Sequence, residues 1–232
     1  MYQQYRKYVP CKSMPMSNFP TFEAYYEYAM EFLEKTKPKR IDFFSASGEF
    51  GFLSNFYKHI DDDGPFDLDN DIYNCHADTV EHFFQAAKFW WMMPPPNVPV
   101  RDARGRITGY TYPDHVLKNW WAYLPVEFLE TLRADTPDDA KKVARKYEKK
   151  VNGNWHKLIY GKFTLKEKIM YELVKDKFTQ IPMLRYLLVA TGDAILVESS
   201  PYDKFWGIGP NRNGENMLGR ILMKVRRELA SQ

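Results

Sequence analysis

Three stretches of the chain place polar groups among aromatic rings where packing alone does not ask for them. The first is GFLSNFY at 51–57, in which Ser54 and Asn55 stand between Phe52 and Phe56. A hydroxyl and an amide beside rings suit the edge of a flat polar ligand, and they suit an ordinary Asn turn equally well. The second is TVEHFFQAAKF at 79–89. Glu81 falls in the first turn of a helix capped by Thr79, where the helix dipole favours a carboxylate. Gln85 and Lys88 follow at i+4 and i+7, so a helix running through to 93 carries all three along one polar edge. A carboxylate there could hold a sugar hydroxyl or an attacking water, whereas His82 reads as a satisfied or exposed histidine rather than a ligand.

The third stretch is SSPYDKFWGIGPNRNGENMLG at 199–219, with Asp203 and Trp206 three apart in a loop rich in Pro and Gly. Gly207 and Gly209 would let backbone approach a ligand closely. A helix beginning near Asn213 would point free N–H groups outward, ready for a phosphate. The plain alternative is a loop and a helix cap.

The elements that must position these groups are mostly helices. Thr21 precedes TFEAYYEYAMEFLEKTK, whose Phe22, Tyr25, Tyr26, Ala29, Phe32 and Leu33 recur at helical spacing up to Pro38. Residues 41–78, rich in Gly, Ser, Phe and turn residues, predict short strands and loops. The PPP run at 94–96 ends the helix that carries Glu81. VPVRDARGRITGYTYP reads as a hairpin around Arg104-Gly105, followed by the Trp120-Trp121 segment and a short helix at 126–132. Thr136-Pro137-Asp138-Asp139 starts another helix, with an N-cap, Pro at the first position and acids in the first turn. LKEKIMYELVKDKFTQ and PMLRYLLVAT are amphipathic helices, and AILVE at 194–198 is a strand. In the last helix Met217, Leu218, Ile221, Leu222, Val225 and Leu229 form one apolar stripe. Helices and strands do not alternate as a parallel sheet requires, so the expected class is mainly α with a few short antiparallel strands.

Composition narrows the field. A chain of 232 residues suits one domain, or one with an arm. A formal charge of +3 is too small to indicate nucleic-acid binding by itself. Cys11 and Cys75 form no CxxC pair, and no His/Cys run has zinc spacing, so a reduced intracellular (cytoplasmic) setting without metal or cofactor is expected. No signal core and no apolar window of membrane length is present in the sequence.

In their order, SNF at 54–56, EHFFQAAKF at 81–89 and DKFWGIGPNRNGENMLGRILMKVR at 203–226 resemble the YbiA-like, or NADAR, family of N-glycosidases. LLVATGDAILVESSP also resembles the family's approach to its last block, and the resemblance covers about residues 41–232. It implies a compact, mainly α domain over that span behind an N-terminal arm at 1–40. It also implies hydrolysis of an N-glycosidic bond in an ADP-ribosyl or phosphoribosyl-amine substrate. The family's substrates include ribosylamino intermediates of riboflavin synthesis and ADP-ribosylated guanine in nucleic acid. Glu81, Asp203 and Trp206 match the family's catalytic positions; Ser54, Asn55, Phe56, Gln85, Lys88, Gly207 and Asn216 match positions that line its pocket. Two departures stand out. A connector at about 92–133, holding Arg101, Arg104, Arg106, Trp120 and Trp121, is longer than the family's, and the family's Arg-x-Asp-Trp element has no clean counterpart nearer than Trp155.

An oxocarbenium-like transition state wants a fixed carboxylate, a positioned water and help for the leaving nitrogen. Glu81 would hold the ribose or activate water, Asp203 would face the cation, and Trp206 would stack on the base or wall off solvent. The sequence leaves the two carboxylates exchangeable. The basic, Trp-bearing connector suits a large substrate such as ADP-ribosylated nucleic acid, or a loop packed for stability. A non-catalytic ADP-ribose-binding module, a nucleic-acid-binding protein and a Cys75-His76 nucleophile are the rival readings.

Overall fold

The computed structural model describes residues 9–58, 60–61, 64–65, 77–89, 98–111, 124–159 and 162–231. Trp120, Trp121, Cys75, His76 and the PPP run lie outside the described residues. The chain divides into two compact units, one of Met1–Glu81 with Lys166–Gln232 and one of His82–Leu165.

In the first unit, α1 spans Phe22–Thr36. The Thr21 hydroxyl accepts the Ala24 N–H at 3.2 Å, and Lys37 ends the helix in a left-handed conformation. Strand β1 (Arg40–Phe43) follows, then β2 (Ile60–Asp61) and β3 (Gly64–Pro65), which pair antiparallel. Helix α2 (Val80–Ala86) carries the chain into the second unit. There β4 (Val98–Arg101) and β5 (Ile107–Thr111) form the expected hairpin, turning at Gly105 with a φ of 75°. Its exposed arginines serve the hairpin itself: Arg101 donates to the Gly105 carbonyl at 2.7 Å, and Arg106 pairs with Asp102 at 2.8 Å. Helix α3 (Val126–Leu132) packs on α4 (Pro137–Lys146), which Thr136 caps through the Asp139 N–H at 3.1 Å. The short strands β6 (Leu158–Ile159) and β7 (Phe163–Thr164) pair antiparallel.

The chain then returns to the first unit through α5 (Leu165–Gln180), α6 (Pro182–Ala190), β8 (Ile195–Glu198) and α7 (Met217–Ala230). The fold is mainly helical with a few short strands, as expected. One pair departs from the antiparallel expectation: β8 lies parallel to β1, with Arg40 opposite Ile195 and Phe43 opposite Glu198. Alternation of neighbouring elements cannot reveal a pairing between strands so far apart in sequence.

The core of this unit follows from helical phasing. Leu218, Ile221, Leu222, Val225 and Leu229 bury one face of α7, which packs on α6 and β8, while α1 packs on α6. Each such side chain contributes about 1.5–3 kcal/mol. Arg226, buried beside this stripe, donates to Thr191 Oγ1 at 2.8 Å and to the Ala194 carbonyl at 2.9 Å, fixing the turn that leads into β8.

Helix α7 comes so close to β8 that a Cβ at Gly219 would collide with the Leu196 carbonyl oxygen and the Asn216 side chain. Gly219→Ala is therefore expected to cost about 3 kcal/mol, seen as a lower urea midpoint. An unchanged midpoint would mean that α7 can back away from the strand.

Candidate functional site

Because β1 and β8 are parallel, the loops that leave them start from the same end of the pair. One runs through Ser54 and Asn55 towards Glu81, and the other is the loop 199–216. Ligands of strand-and-helix folds collect at such carboxyl ends.

In the first loop, a 3-10 turn at Gly51–Leu53 gives way to Ser54, whose hydroxyl accepts the Phe56 N–H at 3.2 Å. Ser54, rather than Asn55, makes the local turn bond. Asn55 reaches outward on both sides: its carbonyl accepts the Glu81 N–H at 3.1 Å, and its amide nitrogen lies 3.2 Å from the Met170 sulfur on α5. Ser54, Asn55 and Glu81 are all buried, and Phe56 is half-buried. The structure thus ties Glu81 to the SNF segment through backbone.

The second loop is wound around the end of β8. Asp203 Oδ1 accepts the N–H groups of Phe205 at 2.8 Å and Trp206 at 2.7 Å, while the Ser200 hydroxyl accepts the N–H of Asp203 at 3.2 Å. Among the described residues Asp203 Oδ2 accepts no hydrogen bond, which leaves one carboxylate oxygen uncommitted. The Trp206 ring meets Phe205 edge to face, with centroids 4.9 Å apart at 85°.

Two residues of this block have structural work that the sequence did not reveal. The backbone that approaches Gly207 is protein: a Cβ there would meet the Glu198 carbonyl oxygen at 2.8 Å. Asn216 is wholly buried in a left-handed conformation, and its side chain clamps β8, accepting from the Glu198 N–H at 2.8 Å and donating to the Leu196 carbonyl at 2.9 Å. The expected phosphate site at the start of the last helix is not formed as envisaged. Helix α7 begins at Met217, and its first two N–H groups bond the carbonyls of Phe205 and Trp206 at 3.0 Å each. Capping by the loop's own backbone takes up the donors that a phosphate would need.

The second helix is also shorter than its sequence suggests. Since α2 ends at Ala86, Lys88 lies in the turn beyond it and not on a shared helical edge with Glu81. Lys88 bonds the Gln85 side chain within the second unit. There His82 is buried with Nε2 3.1 Å from the Ala134 carbonyl, and Trp155 is a buried core residue packed on Phe84 at 5.2 Å.

What joins the two loops is α5. Lys166, Met170 and Lys177 are spaced i, i+4 and i+11, one narrow stripe of a helix with 3.6 residues per turn. Lys177, 2% exposed, donates to the carbonyls of Phe52 at 2.7 Å and Ser54 at 2.8 Å, beside the rings of Tyr57 and Phe178. Met170 meets Asn55, and one turn away, roughly 6 Å along the axis, the half-buried Lys166 places its ammonium 3.2 Å over the Phe205 ring. The stripe therefore brings Ser54, Asn55 and Glu81 to the same side of α5 as Asp203 and Trp206. Both lysines escaped the sequence reading, although each falls in phase with the apolar positions Ile169, Leu173 and Val174. Glu198 escaped it too: it is buried, and its Oε1 accepts the Ser200 N–H at 3.2 Å, bracing the loop from below. Among the described residues no group of three or more His, Cys, Asp or Glu side chains could hold a metal ion, and no helix is long and apolar enough to cross a membrane.

Comparison with known proteins gives this geometry a context. Residues 110–230 match the NADAR domain family. An N-glycosidase of Nostoc punctiforme is 31% identical over 82% of this chain and 92% of its own length. N-glycosidase YbiA of Escherichia coli is 30% identical over 82% of this chain and 88% of its own. The NMR structure of Escherichia coli YbiA superposes with a TM-score of 0.54 at 28% identity, covering 83% of this chain and 86% of that one. A maize protein, the chloroplastic riboflavin biosynthesis protein PYRR, is 30% identical over 82% of this chain, which corresponds to 25% of the maize protein.

Burial pushes the Lys177 ammonium down to about 7 from its ordinary 10.5. Between those values the unfolded chain holds a proton that the folded one has released, so the residue makes stability rise with pH across that window. Lys177→Met removes that contribution. Unfolding midpoints of the two proteins compared at pH 6 and pH 10 are expected to show the wild type gaining on the variant as pH rises; parallel behaviour would mean the ammonium keeps its proton throughout.

Proposed function

The chain belongs to the NADAR, or YbiA-like, family of N-glycosidases, and from that premise we propose that it hydrolyses the ribosyl C–N bond of an ADP-ribosyl or phosphoribosyl-amine substrate, such as ADP-ribosylated guanine in nucleic acid. The observation that carries this reading is that the Asn55–Glu81 pair and the Asp203–Trp206 loop reach neighbouring turns of one stripe of α5, at Met170 and Lys166.

Breaking the bond builds positive charge on the anomeric carbon and ring oxygen. Asp203 suits the role of facing that charge. One of its oxygens is locked by two N–H groups, so the other is held in a fixed direction without any side-chain reorganisation. Glu81, buried and fixed through its own backbone, suits activation of the attacking water, and the half-buried Trp206 suits stacking on the departing base. The Asn55 carbonyl holds Glu81 in register, and Gly207 and Asn216 hold the loop that carries Asp203. Phe56 remains a candidate contact to the substrate. We place the reaction in the cytoplasm, where the free thiol of Cys11 is stable.

A second reading draws on the maize relative's name: the substrate is a ribosylamino intermediate of riboflavin synthesis. The two differ in size of substrate. Incubation with ADP-ribosylated guanine DNA and, separately, with a ribosylamino pyrimidine phosphate, following the free base by mass, separates them. Release from the DNA alone supports the nucleic-acid substrate, and release from the pyrimidine alone supports the metabolite. Release from neither, with ADP-ribose still bound, makes the chain a binding module.

Glu81→Gln and Asp203→Asn are each expected to lower turnover by about 10²–10⁴ while the protein stays folded and binds substrate. Wild-type rates from either variant would remove that carboxylate from the mechanism.

A further inference from the structure

We propose that Lys166 is the acid of the reaction, its ammonium protonating the nitrogen that leaves as the ribosyl C–N bond breaks. The inference rests on the Asp203–Trp206 loop being the site of C–N cleavage.

Lys166 is the second residue of α5, and its side chain lies against that loop. The ammonium is 3.2 Å from the centroid of Phe205 and 5.9 Å from that of Trp206. Among the described residues it makes no ion pair and no hydrogen bond, so its three N–H groups are held by ring faces alone. Lys177, on the same stripe, shows the contrast, since two carbonyls take its donors. An ammonium left with donors to spare beside the platform proposed for the base is placed to give one to that base. Its 5.9 Å separation from the Trp206 centroid makes it a near neighbour of a base held against that loop.

The charged groups that face Lys166 are Glu167 on its own helix and Asp203 and Glu215 from the loop. These hold the proton on, but loss of water outweighs them, and the ammonium releases its proton more readily than a solvated lysine. That is the direction a general acid needs.

The step balances without a further reagent. The C1′–N bond breaks, its electron pair goes to nitrogen, and nitrogen takes a proton from Nζ, leaving a neutral amine. Water adds to C1′ and passes its proton to Glu81; transfer of that proton through solvent to the amine restores both groups. The timing also favours Asp203. While charged, Lys166 opposes the oxocarbenium ion; once its proton has gone, the Asp203 carboxylate meets the developing cation with that neighbour neutral. An arginine would stay charged throughout and would serve neither purpose.

The test uses the full chain with Lys166→Met and Lys166→Arg on two substrates: the ribosylamine that the wild type cleaves, and 4-nitrophenyl ribofuranoside, whose phenolate leaves without a proton. Both variants are expected to lose about 10²–10⁴ on the ribosylamine and less than about tenfold on the nitrophenyl riboside. The wild-type rate on the ribosylamine should fall as pH rises through the lowered lysine value, and both variants should lack that basic limb. Equal losses on the two substrates, a wild-type rate from Lys166→Arg, or a basic limb that persists in Lys166→Met would overturn the proposal and leave Lys166 as a prop for the two rings. If the wild type spares the nitrophenyl riboside, the basic limb decides alone. A wild type that cleaves neither substrate overturns the C–N cleavage reading itself, a result distinct from any of these.

Discussion

The site depends on a clamp made by one amide. Asn216, fully buried, grips β8 at the Glu198 N–H and the Leu196 carbonyl, and it does so from the residue that opens α7. The consequence is a closed circuit of backbone. Ile208 N–H returns to the Glu198 carbonyl, Asn216 N–H to Gly207, and the first N–H groups of α7 to Phe205 and Trp206. A loop bonded this way at both ends has few conformations left, so Asp203 and Trp206 are held as if on a strand or helix. That rigidity matters because a fixed carboxylate stabilises charge without first reorganising. The glycines are part of the same constraint: at Gly207 and Gly219 a side chain would occupy the space where strand, loop and helix touch.

Much of the fold was legible because its signals are local. Thr21 and Thr136 are caps read directly from residue type and spacing, and both accept the N–H three residues on. The stripe of α7 and the strand at 195–198 follow from periodicity. The parallel pairing of β1 with β8 was not legible, since it joins segments with most of the chain between them. Nor was the early end of α2, where an amphipathic pattern continues past the last helical residue, Ala86.

The residues singled out in the sequence are easier to place in the fold than to assign partners. Asp203 and Trp206 stand together as their spacing suggested, and Asn55 meets Glu81 through backbone. Asn216 and Gly207, which the sequence offered as ligand contacts, hold up the loop. A buried amide that satisfies two strand groups and an amide that faces a ligand have the same sequence signature; only the partners distinguish them. The NADAR match begins beyond Glu81, so the first loop owes its place in the site to the geometry described above and to the wider likeness with the N-glycosidases.

The same argument about partners separates the two lysines of α5. Both fall on the apolar side of the helix, where a charge pattern read by eye assigns lysine to the solvated face. Lys177 is deep, and the carbonyls of Phe52 and Ser54 hold it, so its burial is accounted for by the loop it fastens. Lys166 is partly desolvated, and no carbonyl or carboxylate among the described residues bonds it in return. Desolvating an ammonium is costly unless something compensates, and ring faces compensate only in part. Among the described residues, the Lys166 ammonium and the second oxygen of Asp203 make no hydrogen bond, one a donor and one an acceptor. An acid for the departing nitrogen and a counter-charge for the sugar are what cleavage of a ribosyl C–N bond requires, and these two groups are one of each kind.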